Sequence, residues 1–472
     1  MYRLQPVGMP VFDRSNPRSA PPAVGGNISI ASANVLNYFT TFTNGQTASG
    51  QTGQGCSLGG ATSAANCRGA NNANEFGRQR AKIVAALSAL NADVVGLMEI
   101  QNNGNVALLN LVEGLNAVLG AGTYAATPLP ADTGDDAIRV AMIYKPTKLK
   151  LFGAALSDTH PVNNRPTYAQ GFQAANGERF AVVVNHLKSK SCSGASGANA
   201  DQGDLQGCYN ANRVLQAAQL RNFMSQVQAT AGTPDVILLG DFNAYAQEDP
   251  VHELTSDGGI KDLVGKFDPA HYSYVFDGFA GRLDHGFGSA SIAPKISHAT
   301  SWHINADEPL VLDYNTEFNP AGYYQPTAFK SSDHDPMLLG LNLYKKLKGG
   351  VGRDVITGSA GDDIIEGGAG ADTLTGGQGR DQFVYTSMID AGDAISDFTP
   401  ADDLLDLGQL MRSLGISSAN PLASGHVVCS NAVGAAVIGI NAAGSGALTR
   451  SRPLVQLKGL SCDKLSTANY KF

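Results

Sequence analysis

Residues 349–384 repeat one nine-residue pattern four times without interruption, a periodicity that leaves the chain very little conformational choice. The blocks GGVGRDVIT, GSAGDDIIE, GGAGADTLT and GGQGRDQFV each fit G-G-x-G-x-D-x-U-x, with Ser359 the one departure at the second position. The glycine-rich half of each block turns without Cβ clashes and aims its aspartate and carbonyl oxygens at a cation, while the apolar position packs inside. The pattern predicts a parallel β-roll holding Ca²⁺, with Asp354 and Asp372 on one side, Asp363 and Asp381 on the other, and Asp397 closing the last site. Acids set this close together cannot compact until calcium cancels their repulsion, so metal binding and folding are one event.

Composition changes at the same place. From Gly349 onward 8 Lys and Arg stand against 13 Asp and Glu, so −5 of the net charge of −8 lies there and only −3 in residues 1–348. The longer part is nearly neutral, and a contact with nucleic acid would need a local basic patch. With 43% hydrophobic and 16% charged residues the chain can fill a large core. No apolar run approaches the roughly 18 residues that span a bilayer, so no stable membrane association is expected. Residues 1–26 are rich in Pro, Gly and Ser, lack an apolar core of signal-peptide type, and read as linker. A catalytic-type domain is expected over 27–348, the β-roll over 349–408 and a C-terminal cap over 409–472. The six cysteines fall in three nearby pairs, Cys56 with Cys67, Cys192 with Cys208 and Cys429 with Cys462, with no CxxC and no histidine at zinc-ligand spacing. That arrangement predicts three local disulfides and an oxidising compartment.

Before the repeats, amphipathic helical runs such as EFGRQRAKIVAALSALN alternate with strand-like ones, an α/β pattern of sheets covered by helices. Six strand-like runs end in a residue able to bind a metal or move a proton. They are ISIASANVLN at Asn34, DVVGLMEI at Glu99, FAVVVNHLKS at His186, DVILLGDFNA at Asp241 and Asn243, GRLDHGFGS at Asp284, and SSDHDPM at Asp333 and His334. One aspartate at a strand end is ordinarily a turn or cap residue; six such ends in one chain point to a shared sheet edge. Asn, Glu and Asp oxygens without Cys suit Mg²⁺ or Mn²⁺ rather than zinc. A hydrated divalent ion beside histidines suits phosphodiester or phosphomonoester cleavage. No G-x-S-x-G elbow supports a serine hydrolase.

The set Asn34, Glu99, His186, GDFNA, LDH and SDHDP resembles the endonuclease/exonuclease/phosphatase superfamily. The longer blocks CRGANNANEFGRQRAKIVAALSALNADVVGLMEIQNNG, NHLKSKSC and SWHINADEPLVLDYN resemble the ExeM/NucH group of extracellular bacterial nucleases, over roughly residues 27–344. The resemblance implies a four-layered α/β-sandwich of two packed mixed β-sheets flanked by helices. It also implies that Asn34 and Glu99 hold the principal Mg²⁺ with help from Asp333, and that Asp241 and Asn243 position phosphate, water or a second metal. His334, oriented by Asp284, would activate water, and His186 would stabilise or protonate the phosphate oxygens, although the two labels can be exchanged. Arg139 and Arg165 resemble phosphate-contacting arginines. In pancreatic-type deoxyribonucleases of this superfamily a glutamate supports the histidine matching His186; Ile138 stands in its place here, leaving Asp135 or Asp136 either as candidate partners or as solvated loop acids. The nonapeptides and tail resemble RTX proteins, which implies an extracellular protein exported by type I machinery through a signal within 409–472; a monomer is the default expectation.

The resulting expectation is a secreted, metal-dependent, sequence-nonspecific endonuclease acting chiefly on DNA, with RNA left open. A phospholipid phosphodiesterase of the same superfamily would want an exposed apolar hairpin to enter the bilayer, and the sequence offers no convincing one. A calcium-dependent adhesin or matrix protein with an inactive catalytic domain is the third reading. Against it, every core catalytic position carries a competent residue.

Overall fold

The computed structural model describes residues 17–317, 322–444 and 451–472. The chain divides into two compact units, one comprising residues up to Phe172 with Arg179–Asn342, the other Gln173–Glu178 with Leu343–Phe472.

The first unit contains two six-stranded sheets. One runs in the order Ile296–Ser301, Met337–Leu341, Ile28–Tyr38, Val94–Gln101, Ile138–Tyr144, Ala125–Ala126. The other runs Ile260–Asp262, Asp284–Ser289, Val236–Asp241, Arg179–His186, Thr167–Ala174, Leu149–Asp158. Both are mixed: Ile28–Tyr38 is parallel to Val94–Gln101 and antiparallel to Met337–Leu341. Helices Ala73–Leu90 and Val106–Leu119 share a core with Val95, Leu97 and Ala141 on the outer face of the first sheet. Helix Asn210–Ala231 packs on Ala181, Val183 and Leu238 of the second. The layers are therefore helix, sheet, sheet, helix. Strands covered on both faces read as unbroken apolar runs, which is why DVVGLMEI and DVILLGD carry no polar alternation.

Successive side chains of Val94–Gln101 point to opposite faces, so Val95 and Leu97 meet the helices and Gly96 meets the other sheet. A Cβ on Gly96 would lie 2.3 Å from Leu239 Cδ1 and 2.9 Å from a Val184 methyl, so the sheets approach there only because the side chain is absent. Helix Ala73–Leu90 starts at Asn72, whose amide oxygen accepts from the Asn74 and Glu75 N–H groups, and stops at Asn91, with φ 47°. Residues 1–16 of the expected linker lie outside the described residues. Its remainder is pinned: the Arg18 guanidinium donates to Glu308, and the Trp302 indole and Ser297 hydroxyl donate to the carbonyls of Ser19 and Val24.

The second unit is a β-roll. Lys345–Lys348, Asp363–Glu366, Gln382–Val384, Leu404–Asp406 and Tyr470–Lys471 form one wholly parallel sheet. Val355–Thr357, Thr373–Thr375 and Asp393–Ile395 begin the other, which Arg452–Lys458 continues in parallel before two antiparallel strands finish it. Ile365, Leu374, Phe383, Ile395 and Leu405 fill the space between. All three expected cysteine pairs are disulfides, Cys56–Cys67, Cys192–Cys208 and Cys429–Cys462.

Gly96→Val should destabilise the first unit by about 1–3 kcal/mol through overpacking between the sheets. Thermal or denaturant unfolding checks this, and an unchanged midpoint would mean that the sheets can separate there at no cost.

Candidate active site

Strand register assembles the centre of the site. Asp241 pairs with His186 on one side and with Asp284 on the other, so three adjacent strands place these residues abreast. Gly240 precedes Asp241 at φ 132°, where a Cβ would sit 2.1 Å from the Asn185 carbonyl; that close approach fixes how the strand delivers the carboxylate. His334 Nδ1 lies 2.7 Å from Asp284 Oδ2, and its Nε2 lies 3.8 Å from Asp241 Oδ2. His186 Nε2 approaches the same Asp241 oxygen at 3.5 Å. The other Asp241 oxygen accepts from the Asn243 N–H at 2.8 Å, and the Asn243 amide donates to the Leu187 carbonyl.

Electrostatics separates the two imidazoles. Burial, reinforced by Arg165, His334 and Arg68, holds His186 well below the usual histidine range. Burial would also lower His334, but the carboxylates of Asp284, Asp241 and Asp333 outweigh it and hold the ring well above that range. Burial, with Asp284 adding, pushes Asp241 up to about 7 against the opposing pull of His334.

Glu99 and Asn34 reach the site through irregular backbone. The pairing of Ile28–Tyr38 with Val94–Gln101 shifts register after Asn34, and the pairing of Val94–Gln101 with Ile138–Tyr144 shifts between Leu97 and Ile100. Leu36, Asn37 and Glu99 all have positive φ, at 49°, 51° and 66°. Such conformations cost about 1–3 kcal/mol each and persist only where their surroundings fix them. Here Gln79 donates to the Leu36 carbonyl, and Glu99 Oε2 accepts from the Asn37 N–H at 2.9 Å. Burial and then the Asp333 carboxylate raise Glu99. The Asn34 amide nitrogen is buried without a hydrogen-bond partner. Among the described residues no three Asp, Glu, His or Cys side chains converge as a metal-ligand group. The donors are two mutually repelling carboxylates and an amide, all oxygen, and this set fits a hard divalent cation.

Arg165 belongs to this cluster, but its donors are engaged: Nε and Nη2 reach the carbonyls of His186 and Leu187, and Nη1 reaches Asp136. Asp136 also pairs with Arg68 and makes no bond to His186, whose Nδ1 has no partner. Arg139 is not brought into the cluster. Its buried guanidinium donates through Nη1 and Nη2 to the carbonyls of Val140 and Gly104 and to Asn105 Oδ1, an arrangement that supports the backbone, while Nε is buried without a partner. His285 is buried, with Nε2 2.8 Å from the Ala244 carbonyl and its ring against Phe242 and Phe287. Trp302 is buried too.

Two supporting residues escaped the sequence reading. The Ser273 hydroxyl donates to Asp284 Oδ2 at 2.7 Å and accepts from the Leu283 and Asp284 N–H groups. Asn305 ties down the SSDHD loop: its Oδ1 accepts from the Ser331 and Ser332 N–H groups and its Nδ2 donates to the His334 carbonyl at 2.6 Å. Asp335 completes that anchorage by accepting from the N–H groups of Ile304, Asn305 and Ala306. The block SWHINADEPL was the available signal for Asn305; nothing in HYSYVF marks Ser273.

In the roll, each aspartate accepts the N–H of the aspartate one coil earlier. Asp354 donates to Asp372 and Asp372 to Asp393; on the other side Asp363 donates to Asp381 and Asp381 to Asp403. Asp363 Oδ1 and the Oδ2 atoms of Asp372, Asp381 and Asp393 remain buried without partners, as oxygens meant for a cation would. Burial, then Asp403 and Asp363, pushes Asp381 up to about 7. Asp397 instead accepts from the Gly376 and Gly377 N–H groups. Asp393 and Asp403 were missed because their steps of 21 and 22 residues depart from the 18 of the repeats.

An α/β-sandwich with these strand-end residues defines a phosphoesterase-type hydrolase domain, joined here to a calcium-binding roll. The chain belongs to the endonuclease/exonuclease/phosphatase family, whose model matches residues 63–334. Residues 348–383 match four copies of the RTX calcium-binding nonapeptide repeat. Family enzymes use divalent metals, RTX repeats bind Ca²⁺, and such repeats are typical of secreted proteins. No curated protein matches the chain. Similar solved structures include a mannosyl-6-phosphatase of Bacteroides thetaiotaomicron, at 16% identity and TM-score 0.42, covering 67% of this chain and 99% of that one. The human nocturnin catalytic domain with bound sulfate is 14% identical at TM-score 0.39, covering 68% and 93%. TDP2 of D. rerio complexed with single strand DNA product is 15% identical at 0.40, covering 66% and 97%. Among the described residues no helix is long and apolar enough to cross a membrane.

Asn305→Ala should leave buried donors of the SSDHD loop unmet and cost about 1–3 kcal/mol, read as a lowered unfolding midpoint. Asp393→Asn should raise the calcium concentration needed to fold the roll by about tenfold. A circular dichroism titration with Ca²⁺ tests this, and an unmoved midpoint would remove Asp393 from the calcium ligands.

Proposed function

We propose that this chain is a secreted, divalent-metal-dependent nuclease that hydrolyses phosphodiester bonds of DNA, endonucleolytically and without sequence preference. The observation that carries the reading is the convergence of His186 and His334 on one buried Asp241 oxygen, 3.5 and 3.8 Å away, beside the repelling Glu99 and Asp333 carboxylates. Asn34, Glu99 and Asp333 would hold Mg²⁺ or Mn²⁺, which supplies charge neutralisation on the phosphate and offsets the carboxylates around it. The Asp284 carboxylate holds His334 Nδ1–H, so Nε2 is the nitrogen that exchanges a proton with water or the leaving oxygen: as the acid in the imidazolium form that the surrounding carboxylates favour, or as the base once a bound cation offsets those carboxylates. Asp284 then stabilises the imidazolium and Ser273 keeps Asp284 in place. Asp241, steadied by the Asn243 N–H, orients the attacking water or the phosphate. His186, kept neutral by burial, has Nε2 on the same side and stabilises the phosphate oxygens, or takes the water proton where His334 serves as the acid. Recognition of sugar and phosphate alone needs no base reading, which suits a nonspecific enzyme.

The sequence blocks that resemble extracellular nucleases support DNA over other phosphodiesters. Three disulfides and a calcium-dependent roll support action outside the cell, where both the oxidant and the calcium are found. In this reading residues 27–348 catalyse, 349–408 bind Ca²⁺, and 409–472 cap the roll and carry the type I export region of a monomer.

Supercoiled plasmid should be converted first to open circles by the purified protein with Mg²⁺ and Ca²⁺, not in EDTA. His334→Ala should slow nicking by about 10²–10⁴-fold. A folded, calcium-loaded protein that leaves closed circles intact would overturn the endonuclease reading.

A further inference from the structure

Strands Tyr274–Phe276 and Phe279–Gly281 form a hairpin closed by Asp277 and Gly278, both at positive φ, and its tip carries two of the most exposed aromatic side chains of the first unit. Phe276 is 60% and Phe279 78% exposed, and the two are directly paired across the strands. Alternation along a strand puts Tyr274 and Phe276 on one face, and pairing puts Phe279 and Gly281 on that same face. It is the face of the candidate active site. The Tyr274 ring lies 4.6 Å from that of His334, and a Cβ on Gly281 would fall 2.3 Å from the ring of Tyr245, four residues beyond Asp241. Both ends of the hairpin are anchored. Ser273 at its base holds Asp284 and the Asp335 N–H donates to the Ser273 carbonyl; on the other side the Lys190 ammonium, paired with Glu248, lies 5.0 Å from the Tyr245 ring centroid.

Resting on the nuclease reading, we propose that Phe276 and Phe279 are a stacking platform for unpaired bases beside the scissile phosphate, giving the enzyme a preference for single-stranded or locally opened nucleic acid. Continuity with His334 means that a strand whose phosphate reaches Asp241 carries its neighbouring nucleotides past this face. Every base offers a π-face to an exposed ring, so stacking adds affinity without sequence preference. The chemistry at the tip selects bases over acyl chains: Asp277 sits between the two rings, and pushing the tip into hydrocarbon would bury its carboxylate. The hairpin is also the exposed apolar element that the sequence had not disclosed, so a lipid surface is the competing occupant.

The experiment compares the calcium-loaded wild-type chain with Phe276→Ala/Phe279→Ala and Phe276→Tyr/Phe279→Tyr. Substrates are a single-stranded oligonucleotide and a minimal phosphodiester without bases. The alanine pair should raise KM for the oligonucleotide by about 10- to 100-fold, leave the minimal phosphodiester unchanged, and be rescued by the tyrosine pair. Equal oligonucleotide kinetics in wild type and the alanine pair would overturn the platform while leaving the nuclease reading intact. An equal loss on both substrates would also overturn it, making the rings supports of His334. Wild type that cleaves the minimal phosphodiester but no oligonucleotide, and whose binding to phosphatidylcholine vesicles vanishes in the alanine pair, would overturn both readings and assign the hairpin to lipid.

Discussion

Buried and half-buried carboxylates repel one another in both units of this chain, and much of the surrounding structure exists to hold them where they repel. Glu99 faces Asp333, Asp241 faces Asp284, and the roll stacks Asp354, Asp372 and Asp393 beside Asp363, Asp381 and Asp403. Such groups stay charged in the interior only with compensation. In the first unit the compensation comes partly from His334 and from backbone donors, and the deficit at Glu99 and Asp333 is what a divalent cation would relieve. In the roll, backbone N–H groups satisfy one oxygen of most ladder aspartates and leave the other for calcium.

The scaffold meets this demand with register. A parallel and an antiparallel pairing bring His186, Asp241 and Asp284 into one row, and two bulged strands turn Asn34 and Glu99 toward it. Regular strands would send alternate residues to opposite faces, so the left-handed conformations at Leu36, Asn37 and Glu99 are the local cost of redirecting a side chain. The supports lie far away in sequence: Gln79 fixes Leu36, Asn305 fixes His334 and Ser273 fixes Asp284.

That distance explains what could be read in the sequence. Strand ends with chemically capable residues were visible because each is a local pattern, and the roll was visible because its period and aspartate phase hold four times. Ser273 and Asn305 were hidden since a lone Ser or Asn looks the same whether it faces water or a catalytic carboxylate. Arg139 resembled a phosphate ligand, yet nothing local reveals that its guanidinium turns to the Gly104 and Val140 carbonyls. Asp393 and Asp403 occupy ladder positions after longer loops have replaced the glycine turns, so geometry continues where periodicity stops. The exposed phenylalanine hairpin escaped for a related reason: YVFDGFAG is a short turn signal in sequence and becomes an aromatic face only once strand pairing sets Phe276 beside Phe279.

The aspartate ladder has a consequence for how the roll comes to exist. The ladder joins each coil to the coils before and after it, so its contribution to stability is a sum of nearest-neighbour terms, like a one-dimensional chain of coupled switches. Such a chain orders from whichever end is already fixed. Here Arg452–Lys458 and Tyr470–Lys471 supply a ready-made neighbour to the last coils, on Asp393–Ile395 and Leu404–Asp406, and the Cys429–Cys462 disulfide fastens that end. Order would then spread like a zip from the C-terminal coils of the roll toward its N-terminal ones, opposite to the direction of synthesis.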